Sequence, residues 1–233
     1  GREVFLPPRP GEETLVLVDH RADDEEAKAS VTGLALDVVF PVLHGPYGED
    51  GTIQGLLELA NVPYVGCGVL ASAVGMDKDV MKRLLAAANL PLVTWRTIRR
   101  AAWARSREQE VATAEAACGY PAFVKPANMG SSVGVSRATS REELARAVDL
   151  AFAYDTKVIV EKGVPNAREV ECAVLGNDAP IASIPGEIAI DHADGFYSYA
   201  AKYLDESGAT IRIPADLSPE RASEVQRLAI ATF

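Results

Sequence analysis

The sequence predicts an α/β protein in which an open α/β sheet precedes a second unit of strands and helices. Short Val-rich runs flank one amphipathic pattern between residues 13 and 68, in the order strand, helix, strand. From 121 to 164 the order becomes strand, Gly-Ser loop, strand, helix, strand. The chain has 233 residues, 48% of them hydrophobic and 24% charged, which is typical of one large globular domain or two smaller ones.

The first part of the chain carries the open-sheet pattern. The apolar runs 13–19 and 36–45 predict buried strands, and 64–68 predicts a further short strand. Between them, residues 52–63 repeat apolar side chains at helical spacing. Thr52 is placed to cap this helix, and Pro63 follows its end.

A second unit begins with a helix whose predicted N-cap is Asp77. Met81, Leu84 and Leu85 form its expected buried stripe, and Asn89 before Leu-Pro ends it. A charged helix over 104–118 and a helix over 140–155, with a capping box of Ser140 and Glu143, are predicted further on. The strands predicted in this unit cover 121–126, 133–138, 157–164 and 168–176, and the sheet continues through 179–190.

Charge and cysteine content exclude several classes of partner. The net charge of −10 repels nucleic acid and anionic lipid, and no apolar run reaches the roughly 18 residues of a membrane span. Three separated cysteines, an odd number, indicate a reducing cytoplasm.

The chain starts without Met or a signal pattern and stops within a helical pattern, so we expect it to be part of a longer protein.

The stretch FVKPANMGSSVGVSRA, residues 123–138, places small residues between two predicted strands. A P-loop is excluded, because there the lysine lies inside the loop and a helix follows; a Rossmann fingerprint fails for the same lack of a helix. What remains is a hairpin flap whose backbone N–H groups could approach phosphate oxygens, with Lys125 as a fixed charge. Alternatively, Gly and Ser are ordinary hairpin residues.

Three neighbouring segments favour the phosphate interpretation. A glutamate, Glu161, ends a strand that loosens at Gly163, which suits a hinge along an adenine edge. Lys78 lies in the first turn of a helix, where the helix dipole disfavours a cation unless it reaches an anion. Lys202 and Tyr203 lie in an aromatic loop.

Five segments, in order, resemble the D-alanine–D-alanine ligase family of the ATP-grasp superfamily. They are LHGPYGEDGTIQGLLEL at 43–59, GVLASAVGMDK at 68–78, VKPANMGSSVGVS at 124–136, VIVEKGV at 158–164 and FYSYAAKYL at 196–204. The resemblance implies the ATP-grasp fold. Its expected parts are an incomplete N-terminal α/β domain over 1–75, a central ATP-grasp subdomain over 76–163, and the start of a C-terminal subdomain over 164–233.

In such ligases two antiparallel sheets grip ATP, and the carboxylate of a first D-alanine attacks the γ-phosphate. The amine of a second D-alanine then attacks the resulting acyl phosphate, giving D-alanyl-D-alanine for peptidoglycan. The resemblance implies ATP, two Mg²⁺ ions (or Mn²⁺), D-alanine as substrate, a cytoplasmic location and a homodimer. It implies neither a nucleic-acid nor a membrane partner.

The resemblance also assigns roles to individual residues. The residues matched to ATP binding are Lys78, Lys125 and Ser132 at the phosphates, Glu161, Lys162 and Val164 at adenine (the last two through backbone), and Glu169 at ribose. The residues matched to catalysis are Ser131, Lys202 and Tyr203, with Tyr203 expected to hydrogen-bond towards Ser131. His44 is matched to the substrate pocket, whereas His20 and His192 have no match.

The family's first-substrate glutamate, oxyanion arginine and Mg²⁺ ligands are expected outside this chain, so no metal ligand is assigned. Three alternatives stay open. Another ATP-grasp carboxylate–amine ligase would share the flap and hinge. A D-alanine–D-lactate ligase would lack the equivalent of Tyr203. A nucleotide-binding regulatory domain would have lost Lys125, Ser131 or Lys202, and all three are present.

Overall fold

The structure is a computed structural model that describes residues 2–7, 14–20, 29–190, 196–205 and 208–233. The chain divides into two compact units, Gly1–Asp77 and Lys78–Phe233. Part of the predicted aromatic loop, residues 191–195 and 206–207, lies outside the described residues, as does His192. No helix in the described ranges is long and apolar enough to cross a bilayer.

The first unit contains a three-stranded antiparallel sheet and two helices. Its strands, in sheet order, are β1 (Arg2–Phe5), β2 (Thr14–His20) and β3 (Ala29–Ala35). Its helices are α1 (Thr52–Ala60) and α2 (Val69–Met76). The predicted strand over 13–19 corresponds to β2, and the helix predicted from Thr52 corresponds to α1.

The predicted strands over 36–45 and 64–68 are wrong as strands. They form a single parallel bridge between Val39 and Tyr64, on either side of α1. Pro41 follows Val39 closely and has no N–H to donate to a ladder, which gives a physical reason why the pairing stops. The strand–helix–strand order is therefore present as a minimal parallel crossover. Leu57, Ala60 and Val62 form the buried cluster beneath it.

The start of α1 is capped differently from the prediction. Thr52 is the first helical residue, and the Asp50 carboxylate accepts hydrogen bonds from the amides of Thr52 (3.0 Å) and Tyr47 (2.9 Å). The N-cap position is Gly51 at φ +92°, and a Cβ there would lie 2.8 Å from the Val69 carbonyl oxygen. The close approach excludes a side chain at this position, so the capping group comes from one residue earlier.

The second unit begins with α3 (Lys78–Ala87), β4 (Trp95–Arg99) and α4 (Arg100–Cys118). A flap hairpin, a helix and a strand follow: β5 (Ala122–Pro126), β6 (Ser136–Ala138), α5 (Arg141–Ala151) and β7 (Lys157–Lys162). The remaining elements are β8 (Glu169–Glu171), β9 (Val174–Leu175), β10 (Ile181–Ala182), β11 (Gly186–Ile190), α6 (Tyr199–Tyr203), β12 (Ala209–Arg212) and α7 (Pro219–Thr232).

The described strands of the second unit form three antiparallel groups. The largest sheet has the order β4-β7-β5-β6, a smaller one has the order β12-β11-β8, and β9 pairs with β10. The strand β4 was missed by the sequence analysis, although its sequence WRTIR alternates as a half-buried strand does. The strand β12 was missed as well. The predicted strand over 168–176 is divided between β8 and β9.

Strand alternation separates the two faces of the four-stranded sheet. One face packs under α4 and α5 and contributes Ala122, Val124, Val158 and Val160 to the main core. Lys125 and Glu161 occupy the alternate positions of β5 and β7, so they face away from these helices. The charged side chains therefore lie on the sheet face opposite α4 and α5, where Lys82 of α3 contacts Glu161.

The helix α3 does not bury the predicted apolar stripe. Leu84 is 52% exposed, Met81 and Leu85 are half-buried, and the buried residues of α3 are Asp79 and Lys82. The apolar-stripe prediction for this helix is therefore wrong. Asp77 ends α2 and directly precedes α3, so it lies at the helix start as predicted.

The capping of α5 is close to the predicted capping box. The Ser140 hydroxyl accepts a hydrogen bond from the Glu143 amide at 3.2 Å. The Glu143 carboxylate accepts from the amide and the hydroxyl of Thr139, one residue before the N-cap, rather than from the Ser140 amide. Both polar groups therefore hold the helix start, with the reciprocal bond shifted by one residue.

We expect Gly163→Ala to lower the free energy of unfolding by about 1–3 kcal/mol. An added Cβ would lie 2.6 Å from the Pro121 carbonyl oxygen, which already accepts the Gly163 amide at 2.8 Å. Urea unfolding of the complete protein measures the change. The matched control is Gly55→Ala in α1, where no atom lies within 4 Å. Equal stability of the two variants would contradict the close-approach argument.

Candidate functional site

On the sheet face opposite α4 and α5, a buried carboxylate lies between two lysines. Glu161 Oε1 lies 2.8 Å from the Lys82 ammonium, and Glu161 Oε2 lies 2.5 Å from the Lys125 ammonium. The three side chains come from β7, α3 and β5, so the cluster joins three elements. The sum of two positive charges and one negative charge leaves a net charge of +1 at this point.

The lysines also set the protonation state of Glu161. Burial alone would raise the pKa of this carboxyl, but the Lys125 and Lys82 ammonium groups offset the effect and hold the pKa below its ordinary value. Glu161 is therefore ionised at neutral pH. A buried carboxylate without such partners would be strongly destabilising.

A second buried carboxylate, Asp79, fixes the start of α3 against β4. It accepts hydrogen bonds from the Thr97 hydroxyl (2.6 Å), the Arg83 guanidinium (3.0 Å) and the Trp95 indole (3.5 Å). Burial raises the pKa of Asp79, and the three donors reverse that shift and lower it. The Lys82 ammonium lies 5.5 Å from the centre of the Trp95 ring, within cation–π range. Asp79 and Trp95 thus limit where Lys82 can lie.

The loop between β5 and β6 is a hairpin flap, as predicted, and its backbone is strained. Ser131 and Ser132 have φ values of +51° and +60°, and the Val133 amide donates to the Gly130 carbonyl at 3.1 Å. Positive φ at both central residues is typical of a type I′ turn, which usually requires Gly or Asn. A residue with a Cβ costs about 1–3 kcal/mol in such a conformation, so other contacts must hold the serines.

Those contacts come from the segment 196–205, which we name the lid. The hydroxyls of Ser131 and Tyr203 share a hydrogen bond at 2.8 Å, and the Ser132 hydroxyl donates to the Tyr197 carbonyl at 2.9 Å. The ring of Phe196 also meets that of Phe123 edge to face, with 5.4 Å between centroids. The lid is therefore fastened to both strained serines and to β5.

The base of the flap is held from the opposite side. The Lys78 ammonium donates to the Met129 carbonyl at 2.5 Å, and the Lys78 amide donates to the Ala127 carbonyl at 3.0 Å. Asp155 accepts from the backbone and side-chain N–H groups of Asn128 at 2.8 and 3.0 Å. These contacts hold the flap base, whereas the Ser131 and Ser132 hydroxyls at its tip bond to the lid.

A groove of about 650 Å³ lies between the flap, the lid and the end of α5. Its lining comprises residues 132–136, Leu150, Tyr154, Phe196 and residues 198–200. Gly134 is at φ +70°, and a Cβ there would lie 2.7 Å from the Tyr154 ring, so only glycine fits. Ser132 lines this groove, whereas Lys125 is not among its lining residues.

The remaining residues matched by the resemblance lie at the end of β7 and beyond. The Lys162 amide donates to the Thr94 carbonyl at 2.9 Å, so this N–H belongs to the sheet and is not free to contact adenine. Val164 is exposed, and Glu169 is half-buried at the start of β8. Lys202 places its ammonium 4.7 Å from the centre of the Tyr197 ring. The roles predicted for these residues stay predictions.

His44 belongs to the first unit, where it is exposed in the segment before α1. Its predicted substrate role is not tested by any contact. Among the described residues, no group of three or more His, Cys, Asp or Glu side chains is placed to hold a metal ion.

Two residues of the site were missed by the sequence analysis, Lys82 and Asp79. Both lie on α3, and Lys82 follows Lys78 by four residues, so the two lysines share a helix face. That spacing was a usable signal. It was overlooked because the helix was interpreted from its apolar residues, which implied that charged positions face solvent.

Comparison with known families matches both parts of the chain. The family described as D-ala D-ala ligase C-terminus matches residues 84–233, and the one described as D-ala D-ala ligase N-terminus matches residues 11–67. The chain belongs to the D-alanine–D-alanine ligase family. The predicted ATP-grasp fold class is confirmed by this membership and by the similarity to solved structures of such ligases.

Curated relatives carry the same family name. The chain is 50% identical to the D-alanine–D-alanine ligase of Heliobacterium modesticaldum over 233 residues, which is 100% of this chain and 60% of the relative. It is 52% identical to that of Bacillus cytotoxicus over 207 residues, 89% of this chain and 56% of the relative. The chain thus spans about 60% of the length of the curated relatives it matches.

Two solved structures share the fold. The VanG D-Ala:D-Ser ligase from Enterococcus faecalis has a TM-score of 0.79 at 35% identity, covering 98% of this chain and 61% of that structure. The D-alanine–D-alanine ligase from Coxiella burnetii has a TM-score of 0.71 at 35% identity, covering 94% and 57%. Both similarities extend over nearly the whole described fold.

The lowered pKa of Glu161 predicts an acid-sensitive contribution to stability. The unfolded carboxyl has the ordinary glutamate pKa of 4.5 and the folded one has a lower pKa, so the contribution is complete above pH 4.5 and disappears as pH falls through the folded pKa. Glu161→Gln should be less stable than wild type at pH 7, and the difference should shrink below pH 4.5. Urea unfolding from pH 7 to pH 3 measures it. A constant difference would contradict the lowered pKa.

Ser131→Ala and Tyr203→Phe remove the two ends of one hydrogen bond. Each variant should increase amide hydrogen exchange in the lid, because the free energy of opening the lid falls by about 0.5–1.5 kcal/mol. The double variant should show no more exchange than either single variant. Tyr199→Phe removes a hydroxyl from the same short helix and is the control. Additive effects would mean that the two hydroxyls act independently.

Proposed function

We propose that the complete protein joins two D-alanines to D-alanyl-D-alanine, with conversion of ATP to ADP and phosphate, for peptidoglycan precursor synthesis. The observation that carries the proposal is the pairing of a cationic sheet face with a serine flap hydrogen-bonded to a lid. The reaction passes through an acyl phosphate, which needs cations beside the transferring phosphoryl group and exclusion of water. Family membership supports the same reaction.

The lysines of the second unit supply the cations. Lys125 keeps more than a quarter of its side chain exposed beside Glu161, and the local net charge of +1 favours an anion at this point. Lys78 reaches the base of the flap from α3 and is proposed to bind the phosphates together with Lys125. Each cation lowers the energy of the charge that develops on the transferring oxygens.

The flap and lid exclude water. Ser132 would exchange its hydrogen bond to the Tyr197 carbonyl for one to the transferring phosphate, while the Ser131–Tyr203 hydrogen bond keeps the lid over the flap. Lys202 would turn its ammonium from the Tyr197 ring towards the phosphates, because an anion offers a stronger interaction than a ring face. Exclusion of water protects the acyl phosphate from hydrolysis until the second amine attacks.

The nucleoside would lie at the end of β7. Glu161 and the Val164 backbone are proposed to contact adenine, with Lys162 contributing through its backbone, and Glu169 to contact ribose. The proposed subdomain boundaries follow from this placement: a central subdomain over 76–163, and a last one from 164 to 233 that contains the β12-β11-β8 sheet. His44, in the part over 1–75, is proposed to face the substrate.

Members of this family use ATP with a divalent metal, and two Mg²⁺ or Mn²⁺ ions are part of the proposal. Among the described residues, no cluster of three or more His, Cys, Asp or Glu side chains is placed to hold such an ion. A homodimer and a cytoplasmic location, without nucleic-acid or membrane partners, complete the proposal. The net charge of −10 and the three free cysteines support the last points.

The second substrate is proposed to be D-alanine rather than D-lactate or D-serine. Tyr203 is present and bonded to Ser131, whereas depsipeptide-forming relatives lack the equivalent tyrosine. One structural neighbour is a D-Ala:D-Ser ligase at 35% identity, but the curated relatives at 50% and above are D-alanine–D-alanine ligases. The closer relatives favour two D-alanines.

We expect the complete protein to release phosphate from ATP and Mg²⁺ with D-alanine alone, with the dipeptide visible in a mass spectrum. Parallel reactions contain L-alanine, D-alanine with D-lactate, or D-alanine with D-serine. Lys125→Met should lower kcat/KM by about 10²–10³-fold, because one cation at the phosphates is lost. The control is Lys157→Met, which removes one lysine charge at the first residue of β7 in the same sheet.

Each other outcome has a definite meaning. Activity with another acid and amine pair would retain the fold and overturn the substrate. ATP binding without phosphate release from any pair would favour the regulatory-domain alternative. Unchanged kinetics of Lys125→Met would remove this lysine from the phosphate site.

A further inference from the structure

The two lysines that share Glu161 are not equivalent. The Lys82 side chain is 8% exposed and the Lys125 side chain 28% exposed, while that of Glu161 is 9% exposed. Lys82 and Lys125 bind different oxygens of the Glu161 carboxylate, so either lysine can stay bound when the other moves away. Lys125 has access to solvent, and therefore to a ligand, that Lys82 lacks.

Lys82 is also held in place more firmly. Its helix is fixed by Asp79, which accepts hydrogen bonds from Thr97 and Trp95 of β4. The Trp95 ring lies beside the Lys82 ammonium, with 5.5 Å from the nitrogen to the ring centre. Lys125, by contrast, is the penultimate residue of β5, directly before the flap. The structure thus combines one fixed and one movable cation on a single buried carboxylate.

We propose that Lys82 is a positioning residue that permanently neutralises Glu161 and so frees Lys125 for the phosphates of a nucleotide. The inference rests on the proposed nucleotide binding and adds a residue to it. Lys82 itself does not touch the nucleotide. When Lys125 turns to a phosphate, Glu161 keeps the Lys82 ammonium, so the buried carboxylate is never left without a counter-ion.

The positive charge that the cluster offers to an anion depends on Lys82. With Lys82 present the cluster carries +1, and this charge is available to an anion. Without Lys82, Glu161 and Lys125 form a neutral pair, and a phosphate must compete with a buried carboxylate for the one remaining lysine. The affinity for a nucleotide should therefore depend on Lys82 in proportion to the nucleotide's phosphate charge.

The test compares binding of ATP and adenosine to the complete protein by calorimetry, without Mg²⁺. Lys82→Met should weaken ATP binding by about 10-fold or more and change adenosine binding by less than about 3-fold. Arg105→Met removes one charge from an exposed position of α4, away from Asp79 and Glu161 in the chain, and is the matched control. Lys82→Arg keeps the charge and should retain most of the ATP affinity.

A second pair of variants tests the coupling without relying on the single Lys82→Met variant. In Glu161→Gln the carboxylate is gone, so Lys125 is already free. Adding Lys82→Met to Glu161→Gln should then change the ratio of ATP to adenosine affinity by less than about 3-fold. If Lys82→Met lowers this affinity ratio as much in the Glu161→Gln protein as in the wild type, Lys82 acts on the phosphates directly, which overturns the positioning role.

The remaining outcomes separate this inference from the proposed function. If wild type binds ATP and Lys82→Met binds it equally well, the inference fails and the proposed function stands. If Lys82→Met weakens the binding of ATP and of adenosine equally, Lys82 has only a structural role, and this also overturns the inference. If wild type binds neither ligand, the proposed function fails, and the inference fails with it.

Discussion

The ionised Glu161 carboxylate is the constraint on which the rest of the second unit depends. A buried carboxylate is tolerated only with cations at hydrogen-bond distance, and here they come from α3 and β5. The requirement explains why α3 buries a lysine instead of its leucines. It also explains why Asp79 is buried beside it, since the helix that delivers Lys82 must be anchored to β4. The polar contacts therefore determine how α3 packs.

The flap depends on its hydrogen bonds to the lid. Two adjacent serines at positive φ are unfavourable by themselves, and in the described residues their hydroxyls hydrogen-bond to the lid. If the lid leaves, those bonds are lost and the strained turn can relax, so the flap and lid should open and close together. The contacts of Lys78 and Asp155 with the flap base do not involve the lid.

The sequence was sufficient for the elements whose patterns are local. The flap, α5 and its Ser140 cap, and the buried strand β7 all follow from periodicity and capping residues. Pairing depends on distant residues, and there the prediction was weaker. The run 36–45 has the composition of a strand but forms one bridge, and β4 was missed because its partner β7 lies about sixty residues later.

The candidate site shows the same division. The five ordered segments matched Lys125, Ser131, Glu161 and Tyr203, and the structure joins them in two pairs, one ionic and one through hydroxyls. Lys82 and Asp79 were not found, because hydrophobic periodicity treats every charged residue of a helix as solvent-facing. That rule fails where a charge is buried against an opposite one. A second lysine four residues after a matched lysine is the pattern that would have indicated Lys82, since the two side chains share one helix face.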